Sequence, residues 1–190
     1  MIWLSYSRLM CWERSPELYY HRYILGERYT NKFMEFGSWF ADLLENKKKA
    51  DNPRVERLKL FLPEYPEREE KIKVEYKGIP LLAKPDGINW KKKLIGEFKT
   101  GKRYTQEMTD KSDQLTFYAL VCWILKGKLF QTQLHWIETI EAEDGGIDIT
   151  GFAKTFKTKR GIKDFLLFWP RVERAWQGIN KLTKEEYAKI

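Results

Sequence analysis

The residues best suited to chemistry lie in two largely apolar runs, residues 81–88 and 94–100, which a basic turn connects. This pattern predicts the two strands of a β-hairpin. Asp86 lies near the end of the first strand, and Glu97 and Lys99 lie in the second. Because residues two apart in a strand point to the same face, Glu97 and Lys99 project together.

A hairpin centred between Lys91 and Lys92 places Asp86 directly opposite Glu97, with their Cβ atoms about 5 Å apart. Two carboxylates this close repel each other unless a cation lies between them. Mg²⁺ is commonly bound by one or two carboxylates together with phosphate oxygens. Lys99 would then hold a water molecule or a developing phosphate charge beside the metal. The pattern therefore predicts a divalent-metal site for phosphate chemistry.

A surface hairpin whose charges face water is the alternative interpretation. The residues around the charges are apolar, among them Leu82, Ile95 and Phe98, which favours a buried sheet. Buried carboxylates require a partner, so burial strengthens the prediction of a metal.

A helix predicted over residues 106–126 follows the hairpin. Gln114 and Tyr118 are four residues apart and share one face of this helix, with Lys111 one turn before them. An amide and a phenol can bind a phosphate or position a water molecule. The alternative is an amphipathic helix whose tyrosine belongs to the core.

Together these residues resemble the PD-(D/E)xK nuclease superfamily, in its RecB-like exonuclease branch. The resemblance covers residues 4–118, and it includes an amino-terminal segment at 4–26 and a first helical motif at 36–45. The central motifs occur in the family's order: Pro85-Asp86, Glu97-x-Lys99 and Gln114-x-x-x-Tyr118.

The resemblance implies an α/β fold with a restriction-endonuclease-like core, in which a mixed sheet of about five strands is flanked by helices. One domain would span residues 1–190, with an amino-terminal helical segment at 1–30 and a mobile tail at 180–190. Asp86, Glu97 and Glu45 would be the metal ligands, for Mg²⁺ or Mn²⁺. Lys99 would be the catalytic lysine, and Gln114 and Tyr118 would position the DNA strand.

The sequence departs from the family at one position. The family often has a histidine four residues after the glycine of the first motif, which is Gly37 here, and this chain has Ala41. Losing an imidazole removes a ligand that suits transition metals better than Mg²⁺, so the metal preference stays open. The departure also motivates an alternative, a non-catalytic nucleic-acid-binding protein on a decayed nuclease fold.

The charge balance favours a polyanionic partner. Lysine and arginine total 35 against 27 aspartate and glutamate residues, which gives a net charge of +8. Basic residues concentrate around the hairpin and again between residues 154 and 174. The predicted DNA contacts are Lys84, Lys102, Arg103, Lys111, Lys157, Lys159 and Arg160.

The predicted activity is therefore metal-dependent cleavage of DNA. The Gln-x-x-x-Tyr motif resembles the exonuclease-type branch, which favours action on ends or single strands in DNA repair, recombination or replication. A structure-selective or sequence-selective endonuclease of the same fold is the alternative. The chain lacks a helicase domain, so we expect it to work either alone or with a separate helicase or recombination partner.

The cysteines, the apolar runs and the amino terminus indicate which cofactor to expect and where in the cell the protein acts. Cys11 and Cys122 fit no zinc spacing, and the four cysteines that bind an iron–sulfur cluster in some related nucleases are absent, so we expect no cluster and two buried thiols. No apolar run is long enough to span a membrane, and the amino terminus lacks the pattern of a signal peptide. We therefore expect an intracellular, cytoplasmic protein without a membrane partner.

Overall fold

Two mixed sheets form the centre of the fold within residues 2–46 and 48–187, which the computed structural model describes. The side chains of residues 184, 186 and 187 are not described. The strands are β1 (Leu4–Ser5), β2 (Ile72–Tyr76), β3 (Ile79–Ala83), β4 (Gly87–Asn89), β5 (Leu94–Gly101), β6 (Gln131–Glu141) and β7 (Ile147–Lys159). The helices are α1 (Tyr6–Arg14), α2 (Pro16–Tyr19) with a π-helical continuation (Tyr20–Ile24), α3 (Lys32–Glu45), α4 (Pro53–Lys59), α5 (Gln106–Asp110), α6 (Asp113–Lys126) and α7 (Ile162–Tyr187).

The smaller sheet has the strand order β1-β3-β2, and the larger has the order β4-β5-β6-β7. In the smaller sheet β1 is parallel to β3, and β2 is antiparallel to it. In the larger sheet β5 and β6 form a parallel pair, while β4 and β7 run antiparallel to their neighbours. The fold is thus α/β with mixed sheets flanked by helices, as predicted, although the strands divide between two sheets instead of forming one.

Helix α6 packs between the elements of the core. Eight consecutive residues of this helix are buried, from residue 115 to residue 122, and it contacts β2, β3, β5, β6 and α7. A helix that is apolar on all sides belongs in the interior. Ser112 caps its start, and Gly127, with a φ of 63°, ends it in the left-handed conformation that favours glycine. Helix α6 is therefore a rigid support for the residues on its first turns.

Helix α3 covers the opposite side of the larger sheet. Asn31 caps it by accepting hydrogen bonds from the backbone amides of Phe33 and Met34. Its buried residues Phe40 and Leu43 join a second apolar cluster with Phe98 of β5. The sequence predicts a helix over residues 32–48 with Asn31 as its cap; the helix starts at Lys32 as predicted and ends at Glu45, three residues earlier.

Two predicted elements are interrupted in the structure. The predicted strand 81–88 is wrong: β3 ends at Ala83 in one sheet and β4 begins at Gly87 in the other. Pro85 lies between them, and a proline has no backbone N–H to donate to the hydrogen-bond ladder of a sheet. The predicted helix 106–126 divides at Lys111 and Ser112 into α5 and α6.

Helix α7 contains Pro170 and continues to Tyr187. Residues 180–187 of the predicted tail are therefore helical, and residues 188–190 lie outside the described part of the chain. Cys11 and Cys122 are both buried, as predicted, and neither forms a disulfide. Within the described residues, the structure contains no helix with both the length and the apolar surface that a membrane crossing requires.

Candidate active site

The site is built on the β4–β5 hairpin, whose register is the one that the sequence predicts. Gly87 pairs with Gly96, and Ile88 pairs with Ile95. Asp86 immediately precedes the ladder on one strand, and Glu97 follows Gly96 on the other. The structure therefore brings these two carboxylates together at the end of the hairpin.

Asp86 is held in place by the neighbouring strand. Its Oδ2 atom accepts a hydrogen bond of 2.7 Å from the backbone amide of Phe98. Burial raises the pKa of the Asp86 carboxyl, while the Phe98 amide and the positive charges of Lys99 and Arg68 oppose that rise. Because the hydrogen bond comes from β5 itself, it ties Asp86 to the strand that carries Glu97.

Glu97 lies deeper, with only 3% of its surface exposed. Its Oε1 atom accepts a hydrogen bond of 2.6 Å from Lys99 Nζ and one of 2.7 Å from Gln114 Nε2. Its Oε2 atom is buried and has no hydrogen-bond partner among the described residues. A buried carboxylate oxygen without a partner is unfavourable, so this atom requires either a cation or a proton shared with the neighbouring Asp86 carboxyl.

The electrostatics of the pair reflect burial and proximity. Burial raises the pKa of the Glu97 carboxyl to about 7, with Lys99 opposing the rise and the Asp86 carboxylate adding to it. For Lys99, burial is the largest single effect and would lower the pKa of the ammonium group, but the charge of Glu97, its hydrogen bond to Lys99 and the charge of Asp86 together outweigh burial, and the pKa is raised. Lys99 is therefore a cation beside two carboxylates whose ionised forms are disfavoured.

Gln114 and Tyr118 stand behind Glu97 on the first turns of α6. Gln114 Nε2 donates to Glu97 and also to the Tyr118 hydroxyl, at 2.9 Å. Tyr118 is 7% exposed, and burial raises the pKa of its hydroxyl. The structure thus brings both residues to the predicted site, where they orient Glu97 from the interior.

An open cavity of about 480 Å³ lies in front of these residues. Asp86, Glu97 and Lys99 line one side of it, and residues of α3 line the other. The side chain of Lys99 is 38% exposed, so its ammonium group is accessible from this cavity. A substrate can therefore reach the carboxylates and the lysine from the same direction.

The chemistry of the donor set fits a hard divalent cation. Among the described residues, no three histidine, cysteine, aspartate or glutamate side chains group closely enough to enclose a metal. The protein therefore offers a carboxylate pair, Asp86 and Glu97, with an unpartnered buried oxygen on Glu97. Mg²⁺ usually keeps several waters and binds through one or two carboxylates plus substrate phosphates, whereas zinc in structural sites takes four protein ligands.

The fold of this chain matches those of solved exonucleases. It superposes on a candidate exonuclease from Eubacterium rectale with a TM-score of 0.57 and 12% identity, covering 99% of this chain and 82% of the other. It superposes on a phage-related exonuclease from Haemophilus somnus 129PT with a TM-score of 0.55 and 14% identity, covering 87% of this chain and 79% of the other. The sequence matches no known family model and no curated protein.

Glu45, the third predicted ligand, lies apart from the carboxylate pair. It is exposed at the last turn of α3, and it lines a small recess together with Ala41, Arg68 and Asp86. The structure thus places the first predicted motif beside Asp86 but does not gather Glu45, Asp86 and Glu97 into one cluster. A ligand role for Glu45 stays a prediction.

Most of the predicted DNA-contacting residues are exposed. Lys84 pairs with Glu69, Lys102 lies 3.9 Å from Glu141, and Lys111 pairs with Glu107. Arg103, Lys157 and Lys159 form no ion pair with a carboxylate within the described part of the chain, and all three lie on the surface. DNA contact by these residues stays a prediction.

The structure does not support the prediction that Arg160 contacts DNA, because Arg160 is buried, with only 6% of its surface exposed. Its guanidinium donates hydrogen bonds to Thr116 Oγ1 and to the backbone carbonyls of Thr109 and Ser112. These atoms belong to the junction between α5 and α6. Arg160 therefore holds the interruption of the predicted helix in place and has no free surface for DNA.

Sequence reasoning missed a group of residues beneath the hairpin. The Tyr65 hydroxyl lies 2.7 Å from His135 Nε2, and His135 Nδ1 lies 2.8 Å from Thr155 Oγ1. The guanidinium of Arg68 lies over the Phe98 ring, 5.3 Å from its centroid. No local pattern marks Tyr65 or Arg68. His135 is buried in β6, and a lone histidine in a strand is more often structural than catalytic.

Proposed function

We propose that this protein is a metal-dependent deoxyribonuclease of the PD-(D/E)xK type, in the RecB-like branch. The single observation that carries the proposal is the hairpin constellation, in which Asp86, Glu97 and Lys99 line one open cavity and Glu97 Oε2 lacks a partner. The structural likeness to two exonucleases supports it. The reaction would be hydrolysis of phosphodiester bonds in DNA.

Asp86 and Glu97 would hold the ion, either Mg²⁺ or Mn²⁺. A bound divalent cation polarises a phosphoryl oxygen and lowers the pKa of a bound water molecule. The hydrogen bond from the Phe98 amide fixes Asp86, so one carboxylate is aimed before any ligand arrives. Preorganisation of this kind avoids reorganisation during the reaction.

Lys99 would act on the substrate directly. An ammonium group has three N–H donors, and one of them is given to Glu97 Oε1. The remaining donors can orient an attacking water or bind a non-bridging phosphate oxygen as negative charge develops. Gln114 and Tyr118 would be positioning residues, since Gln114 links the Tyr118 hydroxyl to Glu97.

Within this class, we favour an exonuclease that acts on ends or single strands in DNA repair, recombination or replication, assisted by a separate helicase or recombination protein. The alternative is an endonuclease of the same fold, which would use the same residues. The non-catalytic alternative remains motivated by Ala41, which lines the cavity where the family often has a histidine.

The test is cleavage of matched linear and circular single-stranded DNA with Mg²⁺ and with Mn²⁺. We expect mononucleotides or short products from the linear DNA and no cleavage of the circle, because a circle offers no end. Cleavage of both substrates would replace the exonuclease with an endonuclease. Absence of cleavage with either metal, together with retained DNA binding, would favour the non-catalytic alternative.

A further inference from the structure

The wall of the cavity that faces the carboxylates is apolar and exposed. Phe33 and Met34, on the first turn of α3, line this cavity opposite Asp86 and Glu97. They are 44% and 42% exposed, so a large part of each side chain remains open to a ligand. Large apolar side chains left accessible beside a polar site mark a binding surface.

This wall is held rigidly at the amino end of α3. Asn31 Oδ1 accepts hydrogen bonds from the amides of Phe33 and Met34, at 3.1 and 3.0 Å. Lys32 forms an ion pair with Glu141 and donates a hydrogen bond of 3.1 Å to the Gly145 carbonyl. These contacts tie the helix start to the turn between β6 and β7, so the backbone that carries the two side chains is anchored.

Positive charge borders the same wall. Lys32 Nζ lies 5.6 Å from the centroid of the Phe33 ring, and Lys102 lies 3.9 Å from the carboxylate that Lys32 also binds, Glu141. Two lysines thus share one acidic partner beside the Phe33 ring, and the same turn also carries the exposed Glu143 and Asp144. Aromatic rings that offer a face for stacking, with lysines within reach of the backbone, are typical of surfaces that bind single-stranded nucleic acids.

We propose that Phe33 and Met34 form a subsite for the base of an unpaired nucleotide next to the cleaved phosphate. A base within a duplex exposes only its edges, since its faces are stacked on neighbouring bases, whereas an apolar wall contacts a face. The cavity volume of about 480 Å³ lies within the range of about 300–1,000 Å³ typical of small-ligand pockets. The inference rests on the proposed function and specifies its substrate as a frayed or single-stranded end.

The experiment measures binding without divalent cations, so its outcome does not depend on cleavage. A short single-stranded DNA oligonucleotide carries 2-aminopurine at one end, at the 5′ end in one probe and at the 3′ end in another. A matched oligonucleotide has an abasic terminal nucleotide instead. We expect wild-type protein to quench the 2-aminopurine fluorescence of one probe, and to bind that oligonucleotide about tenfold more tightly than its abasic match.

The variant Phe33→Ala should remove the quenching and should bind the intact and the abasic oligonucleotides equally. Phe33→Leu keeps the apolar volume without the ring and should lose most of the quenching. Trp39→Ala is the matched control, because Trp39 lies on the same helix with 42% of its surface exposed and does not line the cavity. It should behave as wild type.

Equal binding of intact and abasic oligonucleotides by the wild-type protein would overturn the inference, as would equal losses in Phe33→Ala and Trp39→Ala. Dissociation of an oligomer by Phe33→Ala, measured by sedimentation, would also overturn it, since the wall would then face a second copy of the chain. The protein could also bind the intact oligonucleotide more tightly than the abasic one and yet cleave no DNA with any metal. That result would support the base subsite and refute the proposed nuclease activity.

Discussion

Gly87 and Gly96 lie directly opposite each other in the β4–β5 ladder, and the ring of Tyr65 occupies the space over both. A Cβ atom on Gly96 would lie 2.1 Å from Tyr65 Cζ, and one on Gly87 would lie 2.3 Å from Tyr65 Cγ. Each glycine is the sequence neighbour of a carboxylate, Asp86 or Glu97. The packing of Tyr65 therefore fixes the backbone that carries both acids.

Replacing Gly96 with alanine should force the Tyr65 ring away from the hairpin. We expect Gly96→Ala to lower the free energy of unfolding by about 1–3 kcal/mol, as overpacked cores do, and to reduce cleavage. Urea denaturation measures the first effect. Gly101→Ala is the control, because a Cβ atom at Gly101 in the same strand meets nothing within 4 Å. Equal stability of the two variants would contradict the packing described here.

His135 should make the stability depend on pH. Burial lowers the pKa of its imidazole from 6.5 to about 4. Between these values the unfolded chain takes up a proton that the folded chain excludes, so stability present above pH 6.5 is lost as the pH falls toward 4. The loss from this group should be about 3 kcal/mol. His135→Gln should remove that part of the pH dependence, measured by urea denaturation at several pH values.

His21→Gln provides the matched control, since His21 is the other of the two histidines and its side chain is 44% exposed. The pH profile of this variant should follow that of the wild type. A wild-type profile in His135→Gln would show that His135 is not held neutral in the folded protein.

Variants at Arg160 and Lys157 should distinguish a basic residue that stabilises the fold from one that binds DNA. Arg160→Ala removes one donor from each of the Thr109 and Ser112 carbonyls and the donor to Thr116 Oγ1, and it empties a buried site, which should cost about 3 kcal/mol of stability. Lys157→Ala, at an exposed position, should change stability by less than about 0.5 kcal/mol. It should instead weaken DNA binding and reduce the slope of log affinity against log salt by about one. A stable Arg160→Ala variant with a reduced slope would reverse these roles.

Ala41 allows a test of the first helical motif, because it lines the cavity together with Asp86. Ala41→His adds an imidazole, which favours Mn²⁺ over Mg²⁺, so the ratio of the cleavage rates with the two metals should rise. Ser38→His, one turn earlier on the same cavity wall, should change the ratio less. Glu45→Gln should lower both rates if Glu45 binds the metal. An unchanged ratio and a silent Glu45→Gln would exclude α3 from the metal site.

Local patterns were sufficient to predict the parts of the site that lie close in sequence. The basic turn at Lys91 and Lys92 and the flanking apolar runs predict the hairpin register, and the observed ladder has that register. Asn31 predicts the start of α3 because its side chain caps the first turn. Such signals work because the atoms involved are separated by only a few residues.

Long-range packing explains what the sequence did not indicate. Pro85 lies between two sheets and not inside one strand. This arrangement depends on long-range pairing, since β3 forms its sheet with β1 and β2 while β4 joins β5. Arg160 resembles its exposed neighbour Lys159 in sequence, yet it is buried because three oxygen acceptors on α5 and α6 converge on it. Tyr65 reaches the hairpin from a loop, and only the pair of glycines beneath it hints at the contact.

The most direct measurement is the single-turnover cleavage rate of end-labelled single-stranded DNA with Mg²⁺. The wild-type protein is compared with Asp86→Asn, with Glu97→Gln and with Asp42→Asn, a control on the exposed Asp42–Lys48 ion pair. We predict that the wild type and Asp42→Asn cleave alike, and that each active-site variant keeps its fold but loses about a hundredfold or more in rate. Cleavage by Asp86→Asn or Glu97→Gln at the wild-type rate, or wild-type cleavage that persists in excess chelator, would contradict the claim that these two carboxylates hold the metal that cleaves DNA.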